Sequence, residues 1–248
     1  MGAVRKVMIT KPLLYWLRML ATTVYLVSAC VLAACQQTPR PAEPRTPVAS
    51  VNTPELPIAP DAAAETLLVD LRALDSTIRL DPRYATSNNF TGKPLPGYQA
   101  RRALLRREAA GALARVQSRL RPQSLGLLIY DGYRPVRATL AMVDWARRND
   151  RMDLLRQGYI ASRSRHNLGL AVDLTLTDLR TGAELDMGTP FDTFADAAHT
   201  ANAEGQALHN RETLVRAMEA EGFRNYDQEW WHFSYQVKGA LPFDMVIR

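Results

Sequence analysis

The chain has 248 residues, 47% of them hydrophobic and 23% charged, with two cysteines and a formal net charge of +6. That length suits one domain with a sizeable core. Four of its basic residues, Arg5, Lys6, Lys11 and Arg18, fall in the first 34 positions with no acid among them, leaving the remainder near +2 and giving no reason to expect a nucleic-acid partner.

Those four residues flank or precede an apolar stretch from about Met19 to Ala34, and the combination reads as a secretory signal peptide over residues 1–34. It ends in Leu32-Ala33-Ala34-Cys35, which resembles a bacterial lipobox. Cys35 is therefore expected to be the lipidated first residue of an exported protein, held at a membrane and facing the periplasm. An ordinary signal peptide or an uncleaved anchor helix is the alternative. Cys30 lies in the removed segment, so the mature chain has no cysteine pair to form a disulfide. Residues 35–60 are expected to be a tether, because seven prolines between Gln36 and Pro60 and few large apolar side chains cannot build a core.

The catalytic domain is then residues 61–248. A helix is predicted from Asp61 to Ile78, followed by a turn-rich segment from Asp81 to Gln99. A long helix runs to about Leu120, with Leu105, Ala109, Ala112, Val116 and Leu120 inward and Arg101, Arg102, Arg106 and Arg107 on its solvated face. Leu125 to Tyr130 reads as a buried strand, and Pro135 suits the first turn of a helix carrying Leu140, Val143 and Trp145. A short helix from Asp150 stops at Gly158, and another from Arg211 stops at Gly222, each at a glycine fit for a left-handed cap. Strands and helices do not alternate regularly. The expected class is α+β, a single domain with a mainly antiparallel sheet and flanking helices.

Two further segments alternate like half-buried strands. Leu170, Val172, Leu174 and Leu176 oppose Ala171, Asp173, Thr175 and Thr177, while Trp231, Phe233, Tyr235 and Val237 oppose His232, Ser234 and Gln236. Asp173 and His232 can then share the polar face of one sheet. Together with His166 they make a ligand set for one catalytic zinc ion, which takes three protein ligands and leaves a fourth position for water whose pKa it lowers. Glu229 is the candidate general base. A regular strand would point Glu229 and His232 to opposite faces, so a bulge or turn at Glu229 and Trp230 is required. His199 and His209 have no comparable setting and are expected to be structural or solvent-facing.

Ser164-x-His166-x-x-Gly169-x-Ala171-x-Asp173, followed by Glu229-x-x-His232, resembles the metallopeptidase family that contains the D-alanyl-D-alanine dipeptidases and the murein carboxypeptidases. The dipeptidase branch fits best, on Tyr84-Ala85-Thr86 with Asn89 to Gly92, Asp131-Gly132-Tyr133-Arg134-Pro135, Met187-Gly188 and Phe191-Asp192. The resemblance implies a zinc enzyme hydrolysing D-Ala-D-Ala. It implies Arg134 on the substrate carbonyl oxygen, Tyr84 and Asp192 on the free amine, and Ser164 near the C-terminal carboxylate. The residues by themselves leave other roles open: Arg134 as an arginine opening a helix and paired with Asp131, Tyr84 as a packing residue, Asp192 as a cap for a helix through Ala195 to Ala198. Two departures stand out, Arg165 where relatives carry a small residue, and a short stretch from Trp145 to Tyr159. The rival readings are a murein D,D- or L,D-carboxypeptidase and a non-catalytic peptidoglycan-binding lipoprotein.

Overall fold

The structure, a computed structural model, describes residues 57–248. The expected signal segment, Cys35 and the tether up to residue 56 lie outside the described residues. In chain order the elements are α1 (Asp61–Leu67), β1 (Leu68–Asp70), α2 (Leu71–Leu74), β2 (Arg79–Leu80), β3 (Leu104–Arg106), α3 (Arg107–Leu120), β4 (Leu125–Asp131), α4 (Val136–Arg148), α5 (Asp153–Arg156), β5 (Ala171–Asp178), α6 (Gly205–Glu219), β6 (Arg224–Tyr226) and β7 (Glu229–Ser234).

The main sheet has the order β2-β4-β5-β7-β6, parallel only between β2 and β4. This is the expected α+β arrangement. α3 and α6 pack on one face, where Leu113 and Val116 meet Leu127, Val172, Leu174 and Phe233. Each of these fully buried side chains contributes about 1.5–3 kcal/mol of burial free energy. A second apolar cluster gathers α1, α4, α5 and the C-terminal segment around Tyr133, Met142, Leu154 and Phe243. Ala59, expected at the end of the tether, is already tied in, with its N–H donating to Pro242 O at 2.9 Å. All described residues fall within one compact unit.

Four local expectations are corrected. The first predicted helix is broken, because Leu68–Asp70 pairs antiparallel with Leu104–Arg106 in a two-stranded sheet and Asp70 then caps α2 by accepting from Arg72 N at 2.9 Å. The same pairing takes Leu104 to Arg106 out of the long helix. Arg106 is accordingly buried, its guanidinium carbon 5.3 Å over the Phe243 ring, and Arg102 is bonded to Asp70 at 2.7 Å rather than lying on a helix face. In α4 the inward residues are Ala138, Met142 and Ala146, and Leu140 is exposed. α6 begins six residues before Arg211, at Gly205. The glycine stops hold, since Gly158 and Gly222 both adopt φ near +88°.

Candidate active site

On the sheet face away from α3 and α6, a cleft of about 300 Å³ opens between the two apolar clusters, the lower end of the size range of small-molecule sites. Its floor is β5. Asp173 pairs directly with His232 of β7, so the two side chains project from the same face as the alternation predicted.

Two irregularities, one on each side of β5, aim further groups at Asp173. On β7, Asn225 pairs with Phe233 but Tyr226 pairs with Glu229, so Trp230, Trp231 and His232 have no partner on β6. This is the break expected near Glu229. It brings the Glu229 carboxylate to 4.0 Å from His232 Nδ1. Trp231 is buried in the same cluster as Phe233 and also reaches the cleft, where it packs edge-on to Phe191 at 5.3 Å. On β4, Ile129 pairs with Leu174 and Asp131 with Asp173, leaving Tyr130 as the extra residue of a bulge. In an unbulged strand Asp131, two residues after Ile129, would share the face of Ile129 instead.

His166 arrives from a different direction, on a 3-10 turn (Arg165–Leu168) between α5 and β5. Ser164 caps the turn, its hydroxyl accepting from His166 N at 3.2 Å while Ser164 N donates to Asn167 Oδ1 at 3.1 Å. Gly169 ends it at φ +65°. His166 Nδ1 lies 2.6 Å from Gly132 O. A carbonyl can only accept, so Nδ1 carries the proton and Nε2 presents a lone pair to the cleft.

His166 Nε2, Asp173 Oδ1 and His232 Nδ1 converge, at 3.2 Å between the two nitrogens and 3.3 and 2.9 Å from each to the oxygen. These are the three residues whose donor atoms all lie within 4.8 Å of one another. Ligands about 2.0–2.1 Å from a tetrahedral zinc stand about 3.3 Å apart, so the donor set fits that ion and leaves one position open. The Gly132 carbonyl supplies the hydrogen bond that orients a metal-binding imidazole.

The electrostatics favour added positive charge. Asp131, Asp173 and Glu229 are all buried near the buried cation Arg134, and Asp192 lines the same cleft. Burial alone would raise the Asp173 carboxyl, but the imidazoles of His166 and His232 outweigh it and hold the group below the usual range. Glu229 is driven the other way. Burial holds its carboxyl well above the usual range, the charges of Asp173 and Asp192 add to this, and Arg134 opposes it. Burial pushes Asp192 up to about 8 despite the hydrogen bond from Tyr84.

Arg134 is paired with Asp131, as its reading as an arginine opening a helix expects, and it also reaches the cleft. Its Nε donates to Asp131 Oδ2 at 2.8 Å, yet the guanidinium also lines the cleft, 3.6 Å from Asp173 and 4.8 Å over the Tyr84 ring. Asp192 caps no helix: the turn at Asp196–Ala198 has Ala195 at its N-cap, and the Asp192 carboxylate instead accepts from Tyr84 OH at 2.9 Å. Tyr84 therefore both packs in the core and faces the cleft. Among the other histidines, His199 Nε2 sits 3.1 Å from Tyr159 OH, and His209 is exposed.

Sequence reasoning gave Asp131 no role beyond pairing with Arg134. The structure makes it a hub, accepting from Tyr98 OH at 2.7 Å and from Arg134, with its carboxylate 3.5 Å from His166 Nδ1. The signal was an acid closing an apolar strand. The aromatic wall of Phe90, Tyr159 and Phe194 also went unread, because its members come from three separate loops.

Comparison with known proteins adds an independent line. A family model described as D-ala-D-ala dipeptidase matches residues 64–244. A D-alanyl-D-alanine dipeptidase of Enterococcus faecium is 39% identical over 172 residues, 63% of this chain and 85% of that protein. One from Streptomyces coelicolor is 38% identical over 65% of this chain and 87% of its own length, and one from Escherichia coli 35% identical over 71% and 89%.

Proposed function

The chain belongs to the D-Ala-D-Ala dipeptidase family of metallopeptidases, and from that premise we propose that it hydrolyses D-alanyl-D-alanine with His166, Asp173 and His232 holding one zinc ion. The observation that carries this reading is the convergence of three lone-pair donors at zinc spacing beside a buried carboxylate that is not one of them. Bound zinc supplies Lewis acidity and lowers the pKa of a coordinated water toward neutrality.

The rest falls to the protein's own groups. Glu229 takes the proton of the attacking water and delivers it to the departing nitrogen, a task suited to a carboxyl that burial makes more basic than an ordinary carboxylate. Arg134, oriented by Asp131, donates to the oxygen that gains charge as the carbonyl becomes tetrahedral. Asp192 and Tyr84 hold the free amine, and Ser164 stands at the carboxylate end while it caps the turn that carries His166. Phe90 and Phe194 stand beside the amine end, with Phe90 6.2 Å edge-on to Tyr84 and 5.1 Å from Phe194.

Free D-Ala-D-Ala is therefore expected to be cleaved well, and N-acetyl-D-Ala-D-Ala or a pentapeptide ending in D-Ala-D-Ala poorly. Asp192 can take up a proton when no cation faces it, so acylation does not strand a bare buried charge. What is lost is an ionic hydrogen bond, about 1.5–3 kcal/mol or on the order of 10- to 100-fold in kcat/KM, with crowding at the aromatic wall added. Steady-state kinetics on the three substrates checks this. Preference for the acylated or longer peptide would replace the reading with a murein carboxypeptidase.

The proposal extends to an exported protein lipidated at Cys35, which serves cell-wall recycling or nutrient uptake. Its support is the Leu32-Ala33-Ala34-Cys35 sequence after an apolar stretch. Cys35→Ser is expected to release the protein from the membrane fraction or leave its precursor unprocessed, because membrane attachment then lacks its acyl chains. Fractionation with mass spectrometry of the N-terminal peptide checks it. Unchanged membrane association without lipid would restore the plain anchor helix.

A further inference from the structure

The cleft wall carries three arginines, and they differ in what they already hold. Arg134 is bonded to Asp131 at 2.8 Å and approaches Asp173 at 3.6 Å. Arg163 has an interaction partner of its own. Arg165, between Ser164 and His166, donates from a terminal nitrogen to Tyr235 O at 2.6 Å, but forms no ion pair with a carboxylate among the described residues. Its Nε–H is buried and has no hydrogen-bond partner. Leaving a buried guanidinium donor unmatched costs free energy that an anionic ligand would recover.

The turn that carries Arg165 is held at both ends, by the Ser164–Asn167 pair at its start and by Gly169 at its end, so the backbone position of this cation is set in advance. A free dipeptide bears opposite charges at its two ends. Asp192 answers one, and every other buried acid in the cleft repels the second.

Building on the dipeptidase reading, we propose that Arg165 recognises the C-terminal carboxylate of the substrate, alongside Ser164. The guanidinium engages the carboxylate with its positive charge and with the Nε–H that the protein leaves without a partner. The cleft thereby gains a counter-charge at its carboxylate end, from a residue outside the shared motif positions.

The test compares D-Ala-D-Ala with D-alanyl-D-alaninamide, which lacks only the carboxylate, in the zinc-loaded wild type and in Arg165→Ala and Arg165→Lys. The wild type is expected to favour the acid. Arg165→Ala should lower kcat/KM for the acid about 10- to 100-fold, chiefly through KM, and change the amide by no more than about 3-fold. Arg165→Lys should retain part of the preference, keeping the charge without the fork. The acid-to-amide ratio is independent of the folded fraction of each variant. Equal losses on both substrates, or a wild type indifferent to the carboxylate, would overturn the assignment. Wild-type turnover of the free dipeptide is measured first. Its absence removes the dipeptidase reading and Arg165 together, whereas turnover with an unchanged ratio in Arg165→Ala removes Arg165 alone.

Discussion

Glu229→Ala is expected to keep its zinc and lose turnover by about 10²- to 10⁴-fold. Its carboxylate stands 4.0 Å from the nearest donor, His232 Nδ1, and is not among the three converging ligand atoms, so the metal site does not depend on it. Its environment is unusually costly for a charge, since burial is reinforced by Asp173 and Asp192 and opposed only by Arg134. A group placed there without a chemical task would be a net liability, and its removal should not reduce stability. Zinc content by elemental analysis, thermal unfolding and kcat on D-Ala-D-Ala, measured together, separate the possibilities. Near-normal turnover would remove the base from Glu229, and loss of zinc with turnover would make it a ligand instead.

Replacing any one of His166, Asp173 or His232 by alanine should lower zinc affinity by at least about 100-fold, because two remaining donors cannot hold the ion against a chelator. The three variants should differ in a second respect. Asp173→Ala leaves two imidazoles facing one another at 3.2 Å without the carboxylate that both approach, and it removes a neighbour of Arg134 at 3.6 Å. It is therefore expected to cost the most stability as well as the metal. Zinc content after dialysis against a chelator, with circular dichroism to verify the fold, provides the check. Full occupancy in all three variants would refute the site.

A period of two, read along residues 170–177 and 231–237, gave Asp173 and His232 each the polar side of a strand, and the tertiary structure then paired them directly across β5 and β7. Alternation is a local property of the backbone and survives whatever packs around it. Glycine stops at Gly158 and Gly222 were legible for the same reason, since a positive φ is a demand on one residue. The aromatic wall was not, because no local pattern links Phe90, Tyr159 and Phe194.

The sequence by itself picked out the three side chains that converge, the candidate base, the α+β class and the need for a break near Glu229. Tertiary structure decided the rest of the site. The extra Tyr130 in β4 turns Asp131 toward Asp173, and pairing of Leu68–Asp70 with Leu104–Arg106 interrupts two predicted helices. Register across strands and competition between helix and sheet depend on partners distant in the chain. Local periodicity carries the faces of a strand but not which residue it skips or what it pairs with.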